Sequence, residues 1–162
     1  MRFAYADPPY FGQGAKRYGF PQWDSRERHF ELVNLLVAEY PDGWALSCNR
    51  ADLRWLLPHC PESARVAPWV KTFHQIRACA VQHAWEPVIF VGGRRGRVKP
   101  MVRDWHQANA TRRKGLVGAK PDSFNLWVLG LLNFHAGDTL DDLYPGTAGM
   151  VRAIASKHRT PA

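Results

Sequence analysis

Phe3-Ala4-Tyr5-Ala6-Asp7-Pro8-Pro9-Tyr10 lies close to the start of the 162-residue chain. Its apolar run predicts a buried strand, and its prolines predict where the strand ends, because proline fixes φ and lacks the backbone donor that a sheet needs. Ligands of open α/β sheets bind beyond the carboxyl ends of the strands. At that edge the Asp7 carboxylate and the Pro8 carbonyl could accept two hydrogen bonds from an amino group, while the Tyr10 ring stacks on the ring that bears it.

A second informative stretch lies near the other end of the chain and consists of Gly137-Asp138-Thr139-Leu140-Asp141-Asp142-Leu143-Tyr144-Pro145-Gly146-Thr147-Ala148-Gly149. It predicts a turn, a strand and then a glycine-rich loop that begins a helix. Glycines in such a loop let the backbone approach a bound nucleotide-like ligand closely. We therefore expect a second binding element here.

A helix is predicted between the two stretches. It follows Gly118-Ala119-Lys120-Pro121, and its apolar residues recur at spacings of three and four: Phe124, Trp127, Val128, Leu131 and Leu132. This spacing places them on one helix face, and proline is well suited to a first helical turn.

These three elements resemble the motifs of S-adenosylmethionine-dependent amino methyltransferases that modify the exocyclic amine of adenine or cytosine in nucleic acids. Asp7-Pro8-Pro9-Tyr10 resembles their catalytic motif, and Lys120-Pro121 is similar to a further element of these enzymes. Asp142, Tyr144 and Gly146 match the cofactor-binding motif of the family. This sequence departs from that motif at Ala148, where the family favours glycine. A β-carbon at Ala148 is expected to narrow the cofactor pocket.

The order of the motifs indicates a circularly permuted and shortened member of this family, because the catalytic motif precedes the cofactor loop. The resemblance implies a Rossmann-like methyltransferase fold of the α/β class over a single domain, residues 1–162. Alternating strand and helix signals agree with it: they predict a mostly parallel sheet with helices on both faces, including strands near 44–47, 65–70 and 88–92.

The resemblance also implies the activity: transfer of a methyl group from S-adenosyl-L-methionine to the N6 amine of adenine in DNA. The alternative acceptors are the N4 amine of cytosine, an RNA adenosine and a small aromatic amine. The alternative class of protein is a nucleic-acid-binding remnant without catalytic activity. The implied catalytic residues are Asp7, Pro8, Pro9 and Tyr10, and the implied cofactor-binding residues are Asp7, Lys120, Pro121, Asp142, Tyr144, Gly146 and Thr147.

Basic residues are concentrated in one part of the chain, about residues 93–117, which we call the basic segment. Residues 94–114 hold eight basic side chains and a single acid, in a chain of formal net charge +8. Such a concentration is typical of a polyanion-binding surface, although a solvated loop has the same composition. The candidate nucleic-acid-binding residues, including two from the loop after Tyr10, are Lys16, Arg17, Arg94, Arg95, Arg97, Lys99, Arg103, Trp105, Arg112, Arg113 and Lys114.

The loop over residues 11–23 contains glycines, basic residues and aromatics directly after the catalytic motif. A lid over the substrate and an ordinary surface connection are both compatible with this composition. Beyond the cofactor loop only residues 150–162 remain, so the cofactor strand is expected at the edge of the sheet, without the acidic residue that usually holds the cofactor ribose. Exposed strand edges are normally covered, which predicts a homodimer or a loop packed across this edge.

Other classes of protein are not indicated. No apolar run approaches the roughly 18 residues of a membrane span, and the N-terminus lacks the pattern of a signal peptide, so a cytoplasmic protein of bacterial or phage type is expected. The cysteines and histidines lack metal-ligand spacing, so no metal is predicted.

Overall fold

A computed structural model describes residues 1–72, 76, 78–96, 101–110 and 119–159. Its strands are β1 (Arg2–Ala6), β2 (Gly43–Ser47), β3 (Arg65–Val70), β4 (Trp85–Gly92), β5 (His106–Gln107) and β6 (Thr139–Asp142). Its α-helices are α1 (Arg26–Glu39), α2 (Leu53–Leu56), α3 (Asp122–Leu131) and α4 (Gly149–Arg159). A π-helical turn (Gly14–Tyr18) and two 3-10 turns (Pro21–Asp24 and Leu57–His59) complete the described elements.

The strands form one six-stranded sheet in the order β5-β3-β4-β2-β1-β6. β1 pairs in parallel with both β2 and β6, and β3 pairs in parallel with β5. β4 is antiparallel to both of its neighbours, β2 and β3. Five strands therefore run in one direction and β4 in the other, which confirms a mostly parallel sheet.

The alternation of side chains along β1 divides the core into two layers. Phe3 and Tyr5 face one side, and Ala4 and Ala6 face the other, since successive residues of a strand point to opposite faces. Residues of α3 and α4 pack on the first side, and residues of α1 and α2 pack on the second. Helices thus cover both faces, as the sequence predicts.

The N-terminus of α1 shows how local sequence sets the connection after β1. The Ser25 hydroxyl accepts a hydrogen bond from the backbone N–H of Arg28, which caps the helix as expected for serine at this position. The preceding residues 11–23 are more regular than the predicted loop. Asp24 accepts hydrogen bonds from the N–H groups of Gly14 and Ala15 at 2.8 and 3.0 Å, which ties the π-helical turn to the following 3-10 turn.

The junction of β2 with β4 requires glycine. Gly43 has φ of +147°, and a β-carbon there would lie 2.6 Å from the backbone nitrogen of Gly93. Such a distance is far inside van der Waals contact, so the backbones of these two segments approach closely only because no side chain separates them.

β6 has the edge position that the sequence predicts, because it pairs with β1 on one side and ends the strand order. None of the helices in the described part of the chain is long and apolar enough to cross a membrane.

Two neighbouring leucines of α1 test the assignment of its buried face. Leu36 is fully buried and Leu35 is 45% exposed. Leu36→Ala should lower the free energy of unfolding by about 2–5 kcal/mol, because it removes buried methyl groups and leaves a cavity. Leu35→Ala should change it by less than about 1 kcal/mol. Urea unfolding measures both, and equal effects of the two substitutions would contradict this orientation of the helix.

Candidate active site

The carboxyl ends of β1 and β6 form the crevice at which the candidate site lies. Tyr5 of β1 is in register with Asp142 of β6, so Asp7 lies just beyond a strand end that adjoins the end of β6. After β1 the chain leads to α1 on one face of the sheet, and after β6 it leads to α4 on the other. Connections that leave adjacent strand ends for opposite faces open a crevice, the usual ligand site of open α/β sheets.

A pocket of about 230 Å³ occupies this crevice. Six of the seven predicted cofactor-binding residues line it, and Pro121 does not. The lining residues are Tyr5, Asp7, Tyr18, Ala119, Lys120, Asn125, Asp142, Tyr144, Pro145, Gly146, Thr147, Gly149 and Met150. Residues far apart in the sequence therefore meet at the place that the motifs predict.

The loop after β6 is shaped by Asp142 and by two residues with positive φ. The Asp142 carboxylate accepts a hydrogen bond of 3.3 Å from the Tyr144 N–H, and burial raises the pKa of the Tyr144 phenol to about 12. Gly146 has φ of +44° and Ala148 has φ of +55°. Ala148 does not line the pocket, so the expectation that its β-carbon narrows the pocket is wrong. Its cost is instead backbone strain, since a left-handed φ is unfavourable for alanine.

Lys120 connects the catalytic motif to the rest of the site. Its ammonium Nζ lies 3.0 Å from both carboxylate oxygens of Asp7, 3.3 Å from the Tyr10 hydroxyl and 3.8 Å from a carboxylate oxygen of Glu86. Burial alone would lower the pKa of Lys120, but the negative charges of Asp7 and Glu86 outweigh burial and raise it. Lys120 is therefore protonated at neutral pH, and its ammonium is a hydrogen-bond donor at the centre of the site.

Glu86 belongs to the site because β4 runs against the other strands. The amino end of an antiparallel strand lies at the carboxyl edge of its neighbours, and Glu86 is in register with Trp69 near the end of β3. Glu86 accepts hydrogen bonds from the Tyr10 hydroxyl, at 2.9 Å, and from the Lys71 ammonium. Burial would raise its pKa, but Lys120 and Lys71 overcome this and hold the pKa below its ordinary value.

Two tyrosines contribute neutral phenols to the site. Burial raises the pKa of both Tyr5 and Tyr10 well above the ordinary value, and Asp7 and Glu86 add to the shift. The Tyr10 hydroxyl therefore stays protonated and donates a hydrogen bond to Glu86, which fixes the direction of the ring. The two prolines of the motif are buried (Pro8) and half-buried (Pro9).

The chemistry available at this edge is hydrogen bonding and electrostatics rather than nucleophilic attack. Asp7 is a carboxylate with 24% exposure of its side chain beside a largely buried cation, and the Lys120 ammonium lies 5.6 Å from the centre of the Tyr10 ring. A planar ring next to a partly exposed carboxylate can accept and orient a flat heterocycle that carries N–H groups. Within the described residues no three histidine, cysteine or acidic side chains form a possible metal site.

The predicted nucleic-acid-binding residues do not all lie near this edge. β4 ends beside Gly43, the first residue of β2, so Arg94 lies at the opposite edge of the sheet, where its guanidinium donates two hydrogen bonds to Asp138. Arg103 and Trp105 are exposed and precede β5. The guanidinium carbon of Arg103 lies 5.3 Å from the centre of the Trp105 ring, which is a cation–π contact. Lys16 and Arg17 are exposed on the turn that carries Tyr18 to the pocket. Arg95 is also described and exposed, whereas Arg97, Lys99, Arg112, Arg113 and Lys114 lie outside the described residues.

Sequence reasoning missed Lys71 and Glu86 as members of the site. Trp69-Val70-Lys71 and Trp85-Glu86-Pro87 contain the usable signal, a charged residue at the end of an apolar strand pattern. A charged side chain at a strand end is common on protein surfaces, however, and only the antiparallel direction of β4 brings these two residues together at Tyr10.

No protein-family model and no curated protein sequence matches the chain. Solved structures do match it over almost its full length. The crystal structure of the M1.HpyAVI-SAM complex has a TM-score of 0.64 at 13% identity, covering 99% of this chain and 80% of that one. A second crystal structure, of M1.HpyAVI, has the same TM-score at 12% identity, covering 99% of this chain and 77% of that one. This similarity shows the methyltransferase type of Rossmann-like fold.

The ionised state of Glu86 gives the site a defined pH dependence. Because its pKa is lower in the folded protein than its ordinary value of 4.5, its charge stabilises the fold above pH 4.5, and this stabilisation is lost as the pH falls through the lowered pKa. Glu86→Gln should therefore lower the free energy of unfolding at pH 7, and the difference from the unsubstituted protein should shrink below pH 4.5. Urea unfolding at several pH values measures this difference.

The matched control is Glu31→Gln, which removes a carboxylate paired with Arg28 on the exposed face of α1. Exposed ion pairs contribute little, so its effect should stay below about 1 kcal/mol at every pH. A Glu86→Gln effect that is equally small, or one that is constant from pH 7 to pH 4, would contradict the proposed charge network.

Proposed function

We propose that this chain is a methyltransferase that uses S-adenosyl-L-methionine to methylate the N6 amine of adenine in DNA. The observation that carries the proposal is a pocket at the adjacent ends of β1 and β6, where Asp7 of the first motif meets residues of the Asp142–Gly149 loop. The likeness of the fold to a structure described as a complex with SAM supports the choice of cofactor. That structure is of a distant protein, so the acceptor is proposed from the resemblance of the Asp7-Pro8-Pro9-Tyr10 motif, and the residue roles are proposed from that resemblance together with the geometry of this chain.

The residues of the pocket fit the cofactor chemically. Asp142 and Asp7 supply carboxylates for its hydroxyl or ammonium groups, and the Asn125 amide and the loop before α4 supply donors and close backbone approach. Tyr144 adds an aromatic wall, which is held by an edge-to-face contact with Trp23 at 5.3 Å between ring centres. When bound, the cofactor supplies an electrophilic methyl group on a sulfonium.

Catalysis in this proposal is positioning together with preorganised electrostatics. The amine nitrogen of adenine shares its lone pair with the base ring, so the enzyme must favour a more tetrahedral nitrogen. Asp7 and the Pro8 carbonyl accept the two amine hydrogens and direct the lone pair, and Tyr10 stacks on a base that has left the duplex or was never paired. Glu86 holds the Tyr10 hydroxyl at 2.9 Å, so the stacking ring is fixed before the base arrives.

Lys120 has a separate role in this scheme. Its ammonium contacts both oxygens of Asp7, which limits the directions from which that carboxylate can accept a further hydrogen bond. The incoming amine then shares Asp7 with Lys120.

The chain order and the sheet edge motivate two further parts of the proposal. The catalytic strand β1 comes first in the chain and the cofactor strand β6 comes last among the strands, yet they are adjacent, which supports a circular permutation relative to the usual family order. β6 is an edge strand, and a homodimer across it is proposed because exposed edges are normally covered. Light scattering tests the dimer, and a clean monomer would overturn that part alone.

Removal of the Asp7 carboxylate tests the catalytic assignment. Asp7→Ala should reduce methyl transfer by about 100-fold or more, because positioning and charge at the reacting amine are lost. Cofactor affinity should fall by a smaller factor, because Asp142 remains as the second carboxylate in the pocket. The assay transfers labelled methyl from S-adenosyl-L-methionine to single-stranded DNA, duplex DNA and RNA, followed by nucleoside digestion and mass spectrometry. The control is Glu62→Ala, an exposed carboxylate outside the pocket.

Retained transfer in Asp7→Ala would overturn the catalytic role of this motif. In the unsubstituted protein, label on the N4 of cytosine, on RNA adenosine or on no polymer would replace adenine in DNA by one of the alternative acceptors. Failure of calorimetry to detect any binding of S-adenosyl-L-methionine would favour a nucleic-acid-binding protein without catalysis.

Arg103 tests the contribution of the basic segment. Its guanidinium is exposed beside Trp105, a pair that suits a phosphate next to an exposed base. Arg103→Ala should weaken DNA binding and reduce the salt dependence, the slope of log K against log salt concentration, by about one. Fluorescence anisotropy at several salt concentrations measures this slope, with the exposed Arg54→Ala as control. An unchanged slope would remove Arg103 from the interface.

A further inference from the structure

Asn125 is an anomaly in the core of the protein. It is 3% exposed and lies in the first half of α3, yet its side-chain nitrogen Nδ2 has no hydrogen-bond partner. It is the one buried side-chain nitrogen or oxygen atom without a partner in the part of the chain that the structure describes. Buried polar groups are almost always paired, so an unpaired one requires an explanation.

The position of Asn125 supplies that explanation, since it lines the same pocket as Asp7, Asp142 and Thr147. A residue serving only the packing of α3 would be better apolar, like its neighbours Phe124 and Val128. The Asn125 side chain lines the pocket and its amide nitrogen is buried without a protein partner, so a ligand in the pocket is the remaining candidate partner.

Gly149 is coupled to this amide. A β-carbon at Gly149 would lie 2.5 Å from Asn125 Nδ2, which no normal contact allows. The absence of a side chain at the first residue of α4 therefore gives the Asn125 amide its position. The glycine that follows Ala148 thus has a role of its own in the pocket, set by contact with α3.

The charges of the pocket differ between the elements that line it. Asp7 and Asp142 bring carboxylates from the ends of β1 and β6, and the Lys120 ammonium is paired with Asp7. Asn125 and Gly149 come from α3 and from the start of α4, whose N-terminus carries a partial positive charge. A zwitterionic amino-acid group matches this asymmetry, with its ammonium toward the carboxylates and its carboxylate toward Asn125 and the start of α4.

We infer that Asn125 is a ligand-contacting residue whose Nδ2–H donates a hydrogen bond to the α-carboxylate in the amino-acid part of S-adenosyl-L-methionine. This inference rests on the proposed function, because it assigns one group of the proposed cofactor. It adds Asn125, which belongs to none of the three sequence motifs, to the residues that contact the cofactor. It also explains why an amide is buried where an apolar side chain would pack as well.

The test compares two ligands that differ only in the inferred group: S-adenosyl-L-methionine and its decarboxylated form. Isothermal titration calorimetry is performed with the full chain, the Asn125→Ala variant and the Asn125→Asp variant. The full chain should bind the decarboxylated ligand more weakly. Asn125→Ala should weaken binding of S-adenosyl-L-methionine by about tenfold or more, the usual effect of a lost hydrogen bond to a charged group, and change binding of the decarboxylated ligand by less than about twofold.

Asn125→Asp keeps the shape of the side chain and replaces the donor by an acceptor. It should weaken S-adenosyl-L-methionine more than Asn125→Ala does, because two carboxylates would face each other. Tighter binding would overturn the inference, since it would place the ligand ammonium at Asn125. Equal weakening of both ligands by Asn125→Ala would also overturn it, because the contact would then lie elsewhere on the ligand or be purely structural.

Gly149→Ala completes the design. It should weaken S-adenosyl-L-methionine binding in the full chain by displacing the amide, and have little further effect in the Asn125→Ala background, where no amide remains to be displaced. Additive effects would contradict the coupling. Absence of S-adenosyl-L-methionine binding by the unsubstituted chain would overturn the proposed function and the inference together, whereas binding that Asn125→Ala leaves unchanged would overturn the inference alone.

Discussion

The pairing of β1 with β6 is the constraint on which the rest of the structure depends. It joins residues 2–5 to residues 139–142, so nearly the whole chain lies between two adjacent strands. Parallel pairing brings both carboxyl ends to one edge, and the helices that follow leave for opposite faces. The crevice follows from this topology alone, and the side chains at its rim determine which ligand it can bind.

The reversed direction of β4 supplies what the parallel strands lack. Parallel strands bring their last residues to the site, whereas β4 brings its first ones, and Glu86 thereby reaches the Tyr10 hydroxyl. The positive charges of two lysines then compensate the negative charges of two carboxylates. Lys120 lies between Asp7 and Glu86, and Lys71 pairs with Glu86. Each buried charge has a partner, which is the condition under which such a cluster is tolerated.

Sequence reasoning predicted the layers of the fold better than the site. The apolar run before Asp7 and the helical spacing after Pro121 are local patterns with local causes, and the structure confirms them. The direction of β4 has no local signature, because an apolar strand has the same pattern in either orientation. For the same reason, counting basic residues in the sequence does not predict that Arg94 lies at the amino ends of the parallel strands, away from the pocket.

Asn125 shows a different limit of sequence reasoning. A single polar residue within an apolar helix pattern carries no sign of whether it is paired, and pairing depends on α4, which begins 24 residues later in the chain. The segment after the catalytic motif depends in the same way on distant residues. Asp24 holds its turn together, Tyr18 then reaches the pocket, and Trp23 packs against Tyr144 of the loop after β6. The part of the chain that follows β1 therefore also forms a wall of the pocket between β1 and β6, so the two motifs are coupled through packing as well as through the sheet.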